Sequence, residues 1–272
     1  MKKYIILGLF VAMLMVSVGV VLAAKPDTAP RGLTKVTMPS HAVEVAPGVF
    51  SLGTAMNNGK VVEGYAFVHY KKGYQRPEGK GGKAPKGDSQ CYGFLSKGAK
   101  WKTVEPYIVD PTNTRGLDGT FIKDNMMSNI AKWESASGKN ILGDEVAGIV
   151  DGADTVSPDN KNEVYFADID SQGAIGVTII WGIFGGPPQG RELVEWDMIF
   201  DDVDFDWSMV GEAGKMDFEN IATHELGHSV GMGDLYTDEC SEQTMYGYAD
   251  YGETKKGTLE AGDITGIQEL YK

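Results

Sequence analysis

The residues best suited to chemistry form one short run, His224-Glu225-Leu226-Gly227-His228. Four residues is just over one helical turn, so on a helix both imidazoles leave the same face and can share one metal ion. Glu225 lies beside them and can reach a water at that metal as general base. Gly231 and Asp234 follow, giving HELGHSVGMGD. A helix that must release its chain abruptly needs a residue tolerant of positive φ, and Gly231 supplies it. The loop can then turn back with Asp234 as third ligand, leaving one position open, the pattern of a catalytic zinc. The chain's four histidines are His41, His69, His224 and His228, so a third ligand from downstream of His228 must be a carboxylate. Asp234 is best placed, ahead of Asp238 and Glu239, while His41 and His69 read as surface or strand residues.

Such a run needs elements to position it. Phe218, Ile221, Ala222 and Leu226 recur at helical spacing, predicting a helix over Phe218–Ser229, and Ile264, Ile267 and Leu270 predict a last helix over Leu259–Tyr271. A third helix is expected over Asp118–Ser135, where Asp118 can cap its start. Strands are expected around 104–109, 146–150, 164–169 and 175–183. ELVEWDMIFDD alternates through Leu193, Val194, Trp196, Met198 and Phe200, which reads as a further strand at a sheet edge, where a substrate backbone could add. The sum is an α+β class with a twisted mixed β-sheet.

Upstream, residues 25–48 read as a linker, and Val61-Val62 and Tyr65–Val68 as strands of a small N-terminal piece. KKGYQRPEGKGGKAPKGD, residues 71–88, crowds Gly, Lys and Pro together and marks a boundary. It is either a surface loop or a place where proteolysis separates a pro-segment. The chain opens with Lys2-Lys3, an apolar run from Tyr4 to Leu22 and then Ala23-Ala24, the order of an export signal or an uncleaved N-terminal anchor. Either way the remainder is expected outside the cytoplasm, with membrane association only if that segment is retained. A net charge of −13 argues against nucleic acid, whose phosphates would be repelled. A 42% hydrophobic and 23% charged composition suits a packed core. In an oxidising compartment Cys91 and Cys240, an even pair, most simply form one disulfide.

HExxHxxGxxD, read at His224 to Asp234, resembles the metzincin metallopeptidases in the variant with aspartate as third ligand found in snapalysin-like enzymes. QTMYGY is similar to the methionine-containing turn that metzincins place beneath the zinc, and LEAGDITGIQELYK to the last helix of matrixin catalytic domains. The resemblance implies a matrixin-like domain over residues 89–272, with an active-site helix, a Met-turn at Met245 and a C-terminal helix. Residues 1–24 then fall to the signal peptide or anchor and 25–88 to an N-terminal segment or pro-region. It implies Zn2+ as cofactor, a protein or peptide substrate, and support from Gly231 and Met245 without ligation by the thioether. Tyr246 and Tyr248 beside the turn are candidates for oxyanion or pocket contacts, or else wall packing. Asp197, Asp201, Asp202, Asp204 and Asp206 either bind Ca2+, as in matrixin domains, or are solvated loop carboxylates. Matrixins use histidine where Asp234 stands, and their pro-segment cysteine latch shares with SQCYGF only Cys91 and a nearby Gly93. The expected function is therefore a secreted zinc-dependent endopeptidase. The rivals are a secreted zinc-fold binding protein without turnover and a zinc hydrolase of a non-peptide amide or ester.

Overall fold

The computed structural model describes residues 34–74 and 90–272. Four strands come first: β1 (Lys35–Val36), β2 (Val43–Ala46), β3 (Val49–Asn57) and β4 (Lys60–Lys71). Then follow β5 (Tyr107–Val109), helix α1 (Gly119–Ser137), β6 (Asn162–Ile169), β7 (Ala174–Ile183) and β8 (Glu192–Asp201). The short β9 (Trp207–Ser208) and β10 (Met216–Asp217) lead into α2 (Phe218–Ser229), and β11 (Tyr248–Ala249) precedes α3 (Ala261–Leu270).

The main sheet runs β1-β6-β8-β7-β4-β3-β2, with β5 joined to β6 and β11 to β4. β6 and β8 are parallel, whereas β7 is antiparallel to both β8 and β4. Side chains alternate across a strand. Ile180, Trp196, Met198 and Phe200 therefore enter a core beneath the helices, while Val177, Ile179, Trp181 and Ile199 enter a second core on the opposite face. The helices begin where the sequence places their caps: the Asp118 carboxylate accepts from Phe121 N and that of Asp217 from Asn220 N. α2 is buried along its whole length apart from Glu219, so it is a central element rather than an amphipathic lid.

Four expectations change here. β8 is not an edge strand, because β6 and β7 flank it, and its alternation reflects two different buried faces. Residues 146–150 form no strand: Val146 N still donates to the Tyr107 carbonyl, but the chain then peels away and leaves Ile149 exposed. The 25–48 stretch is not simply a linker, since it holds β1 and β2. Residues 34–74 are not a separate folded piece either; β4 pairs along β7 from Glu63↔Gly182 to Tyr70↔Ala174 and joins the sheet of the following domain. All described residues lie within one compact unit, Gly32–Lys272. The leader at 1–24 and most of the 71–88 boundary lie outside the described residues, and no described helix is long and apolar enough to cross a membrane.

Candidate metal centre

α2 carries His224 and His228 one turn apart, both buried, with Glu225 between them and buried too. Each histidine is oriented from behind. His224 Nδ1 donates to the Thr244 carbonyl at 2.7 Å and His228 Nδ1 to the Met232 carbonyl at 3.0 Å. A carbonyl only accepts, so the proton sits on Nδ1 and each Nε2 presents a lone pair, the tautomer a metal requires. Gly231 ends the helix at φ 101°, where a Cβ would meet the Ala99 carbonyl and Leu270 at 2.9 Å. The chain then returns Asp234, whose Oδ1 lies 3.2 Å from His224 Nε2 and 3.4 Å from His228 Nε2.

Three potential ligand atoms meet at this point. Zinc bonds of about 2.0–2.1 Å in a tetrahedron place ligand atoms roughly 3.3–3.4 Å apart, and the observed separations match. His224 Nε2, Asp234 Oδ1 and Glu225 Oε1 are buried without a hydrogen-bond partner among the described residues, so the donor set fits a zinc ion. Burial would lower His228, but Asp234 and Glu225 outweigh it and raise the ring above its usual imidazole value. Without an ion the ring can therefore hold a proton that a bound metal would displace. Burial, reinforced by Lys256, pushes His224 down to about 4, which keeps it neutral. Burial alone would raise Asp234, but His228 and His224 outweigh it and hold the carboxyl well below its usual range.

Residues 187–272 match the family model described as Matrixin, a stretch that includes β8, the whole metal centre and α3. The chain carries a matrixin-like metzincin domain. No curated protein matches it.

Other parts of this matrixin-like domain position the centre. Met245 is fully buried, and its sulfur lies so close beneath α2 that a Cβ on Gly227 would approach it to 2.1 Å. The turn is held from α3, where the Asp263 carboxylate accepts from Thr244 N and Met245 N as well as from its own helix start at Glu260 N. Cys91 and Cys240 are joined in a disulfide, so Cys91 is no latch on the metal. Tyr246 and Tyr248 form an aromatic series with Tyr236. Tyr236 is the one whose hydroxyl comes within 3.1 Å of Asp234 Oδ2, and the one that lines a neighbouring cavity of about 590 Å³ together with Asp234, Phe94 and Leu235.

The acidic run after Met198 does not converge as a calcium site would. Asp201 accepts from the backbone of Ile169, Val203 and Asp204, Asp202 from Thr114 N, and Asp206 pairs with Arg115. Asp197 points to the opposite loop and accepts from Asp154 N.

Sequence reasoning missed the strands above the site. Thr178 on β7 donates to Glu225 Oε2 at 2.5 Å, and Gly176, two residues earlier, leaves room for that carboxylate, since a Cβ there would sit 3.1 Å from Oε1. On β4, Phe67 stacks on His228 at 4.7 Å and His69 packs against His224 at 4.0 Å between ring centroids. Period-2 spacing could have paired Phe67 with His69, but nothing local reveals that β4 lies over α2. Lys256, fully buried, donates to the Tyr246 carbonyl and lies 3.2 Å from His69 Nε2. Burial lowers its ammonium to about 8 and pushes His69 well below the usual imidazole range.

Proposed function

We propose that the chain is an exported zinc-dependent endopeptidase in which His224, His228 and Asp234 hold the metal and Glu225 is the general base. The observation that carries this reading is Asp234 Oδ1 at 3.2 Å from His224 Nε2 and 3.4 Å from His228 Nε2, the spacing of ligands on one tetrahedral ion, with the buried Glu225 between the two histidines on the same helix. A zinc ion held there would polarise a scissile carbonyl and acidify a water. Glu225 takes the proton of the attacking water and later delivers it to the departing amine. Its burial raises the carboxyl to about 7, a proton affinity suited to both steps near neutral pH. The Thr178 hydroxyl fixes Oε2, while Oε1, buried beside Gly176 of β7, has no hydrogen-bond partner among the described residues.

β4 closes the centre, with Phe67 and His69 on the two zinc histidines. Because β4 runs antiparallel to β7, it takes the place that a substrate strand added to β7 would occupy. The form described is accordingly a latent one, and residues 25–88 act as a pro-region released by cleavage in the Gly/Lys-rich stretch. The same closure would suit a zinc-fold binding protein without turnover, which separates from the peptidase reading by experiment. A mixed peptide library is incubated with the zinc-loaded chain before and after cleavage within residues 75–89, with and without a chelator. Chelator-sensitive hydrolysis by the cleaved form is expected, and its absence in both forms would leave the binding protein.

A further inference from the structure

The seat that His69 fills contains a buried cation for which the proposed zinc chemistry has no use. β4 lies between two strands. It runs antiparallel to β7, with Phe67 opposite Thr178 and His69 opposite Gly176, and parallel to β11, with Tyr70 opposite Tyr248. Thr178 and Gly176 are the residues beside the Glu225 carboxylate. Phe67 and His69, two apart on one face of the strand, therefore reach His228 and His224. A strand that took the place of β4 would bring one of its own side chains into each of these positions.

The cation is Lys256, and it is held at both ends. Its backbone N–H donates to Asn220 Oδ1 of α2 at 2.8 Å, and Nζ donates to the Tyr246 carbonyl and lies 3.2 Å from His69 Nε2. An ammonium only donates, so His69 serves it as a neutral acceptor. The fit is incomplete on both sides. His69 Nδ1 is buried without a hydrogen-bond partner among the described residues. Glu253, Asp234 and Glu225 act on Lys256 only as charges at a distance, so no carboxylate among the described residues pairs with it. A buried charge without its opposite is costly, and an anion that can enter is drawn to it.

We propose, on the basis of the peptidase reading above, that the seat of His69 is a substrate subsite in which Lys256 selects an acidic side chain, glutamate above all. Once β4 has left, a substrate strand between β7 and β11 places one side chain against His224 and toward Lys256 Nζ. A glutamate oxygen stands as many bonds from its Cα as histidine Nε2 does, so it reaches the same ammonium, whereas an aspartate oxygen is one bond short. The carboxylate supplies the counter-charge that histidine lacks, in surroundings where water screens the pair little. An apolar side chain there would leave the ammonium unpaired, and a basic one would be repelled. Lys256 is thus a specificity-determining residue.

The test has one arm that needs no hydrolysis. The full, zinc-loaded chain is cut within residues 75–89, and retention of the N-terminal fragment on dilution is followed by gel filtration. His69→Glu should hold the fragment about tenfold more tightly than the wild type, and this gain should vanish when Lys256→Met is added. His69→Gln, equal in length to the glutamate but uncharged, should give no gain, so the series reports even if Lys256→Met folds poorly. In the second arm, the separated chain is given matched peptides with Glu or Gln at each position in turn. One Glu peptide should be cleaved with kcat/KM about tenfold or more above its Gln counterpart, and Lys256→Met should remove that advantage while still cleaving the Gln peptide. No gain from His69→Glu, or a gain that persists in Lys256→Met and so arises at the metal, would overturn the proposal. Glu and Gln peptides cleaved alike at every position would overturn it too. A Lys256-dependent gain without hydrolysis of any peptide would support the acid-selective seat and count against the peptidase reading.

Discussion

At the scale of single residues, the proposed zinc ligands and the proposed base depend on different supports. His224 and His228 are locked by backbone carbonyls on the far side of each ring, so removing Glu225 leaves both Nε2 atoms in place. Glu225→Ala is expected to keep stoichiometric zinc and lose about 10²–10⁴ of the cleaved form's peptide hydrolysis, the range typical of a missing general base. Asp234→Ala removes a charged ligand oxygen and should lower zinc affinity together with activity. Zinc content and turnover measured on the same two preparations distinguish them, and near-normal hydrolysis by Glu225→Ala at full zinc would refute the assigned role. That His224, His228 and Asp234 come together was readable because one helical turn and one glycine exit are local rules. Thr178, Phe67 and His69 were not, since what brings them over α2 is strand pairing between segments more than a hundred residues apart.

At the scale of elements, the contact between α2 and the methionine turn is the tightest constraint on the centre. Gly227 lies between the two histidines, where a methyl group would reach to 2.1 Å of Met245 Sδ and 2.9 Å of Trp133. Trp133 is itself pinned by its indole N–H to the Thr223 carbonyl and cannot retreat. Gly227→Ala should therefore cost about 1–3 kcal/mol of unfolding free energy, the usual penalty of overpacking, and lower zinc affinity by shifting α2. Denaturant unfolding alongside a zinc titration checks both, and unchanged values would contradict the packing described. A second element-level effect ties β4 to β8. Glu192 at the start of β8 is held below its usual range chiefly by Lys60 of β4, with Lys102 assisting, against the opposing effect of burial. A carboxyl depressed in the folded state stabilises above its unfolded pKa and loses that contribution as pH falls through the folded value. The stability gap between the wild type and Glu192→Gln should accordingly be present at neutral pH, about 1 kcal/mol at most for so partly exposed a pair, and should close on acidification below 4.5. A gap independent of pH would show that the ion pair contributes nothing. Helix limits were legible because caps and apolar period coincide. β8 was misplaced because alternation looks the same on an edge strand as on an inner strand whose two faces bury different cores.

At the scale of the whole molecule, the N-terminal strands complete the sheet and, in the proposed reading, shut the metal centre. β4 is buried on its two faces: Phe67 and His69 lie against α2, and Val62, Ala66, Val68 and Tyr70 pack into the second core. Exposing each of the larger apolar side chains costs about 1.5–3 kcal/mol, so thermal motion alone does not lift the strand. The disulfide between Cys91 and Cys240 lies wholly downstream of the Gly/Lys-rich stretch and does not tether β4. A cut within residues 75–89 thus leaves the strands held by non-covalent contacts alone, and their release becomes a dissociation that dilution favours. The expected order of events is cleavage, then loss of the N-terminal fragment on dilution or in mild denaturant, and only then peptide hydrolysis. Activity should follow fragment loss, monitored by gel filtration, rather than the cut, monitored by denaturing electrophoresis. An uncut chain as active as the separated one would show that β4 does not gate the site. A separated, zinc-loaded fragment without hydrolysis would instead count against the peptidase reading itself.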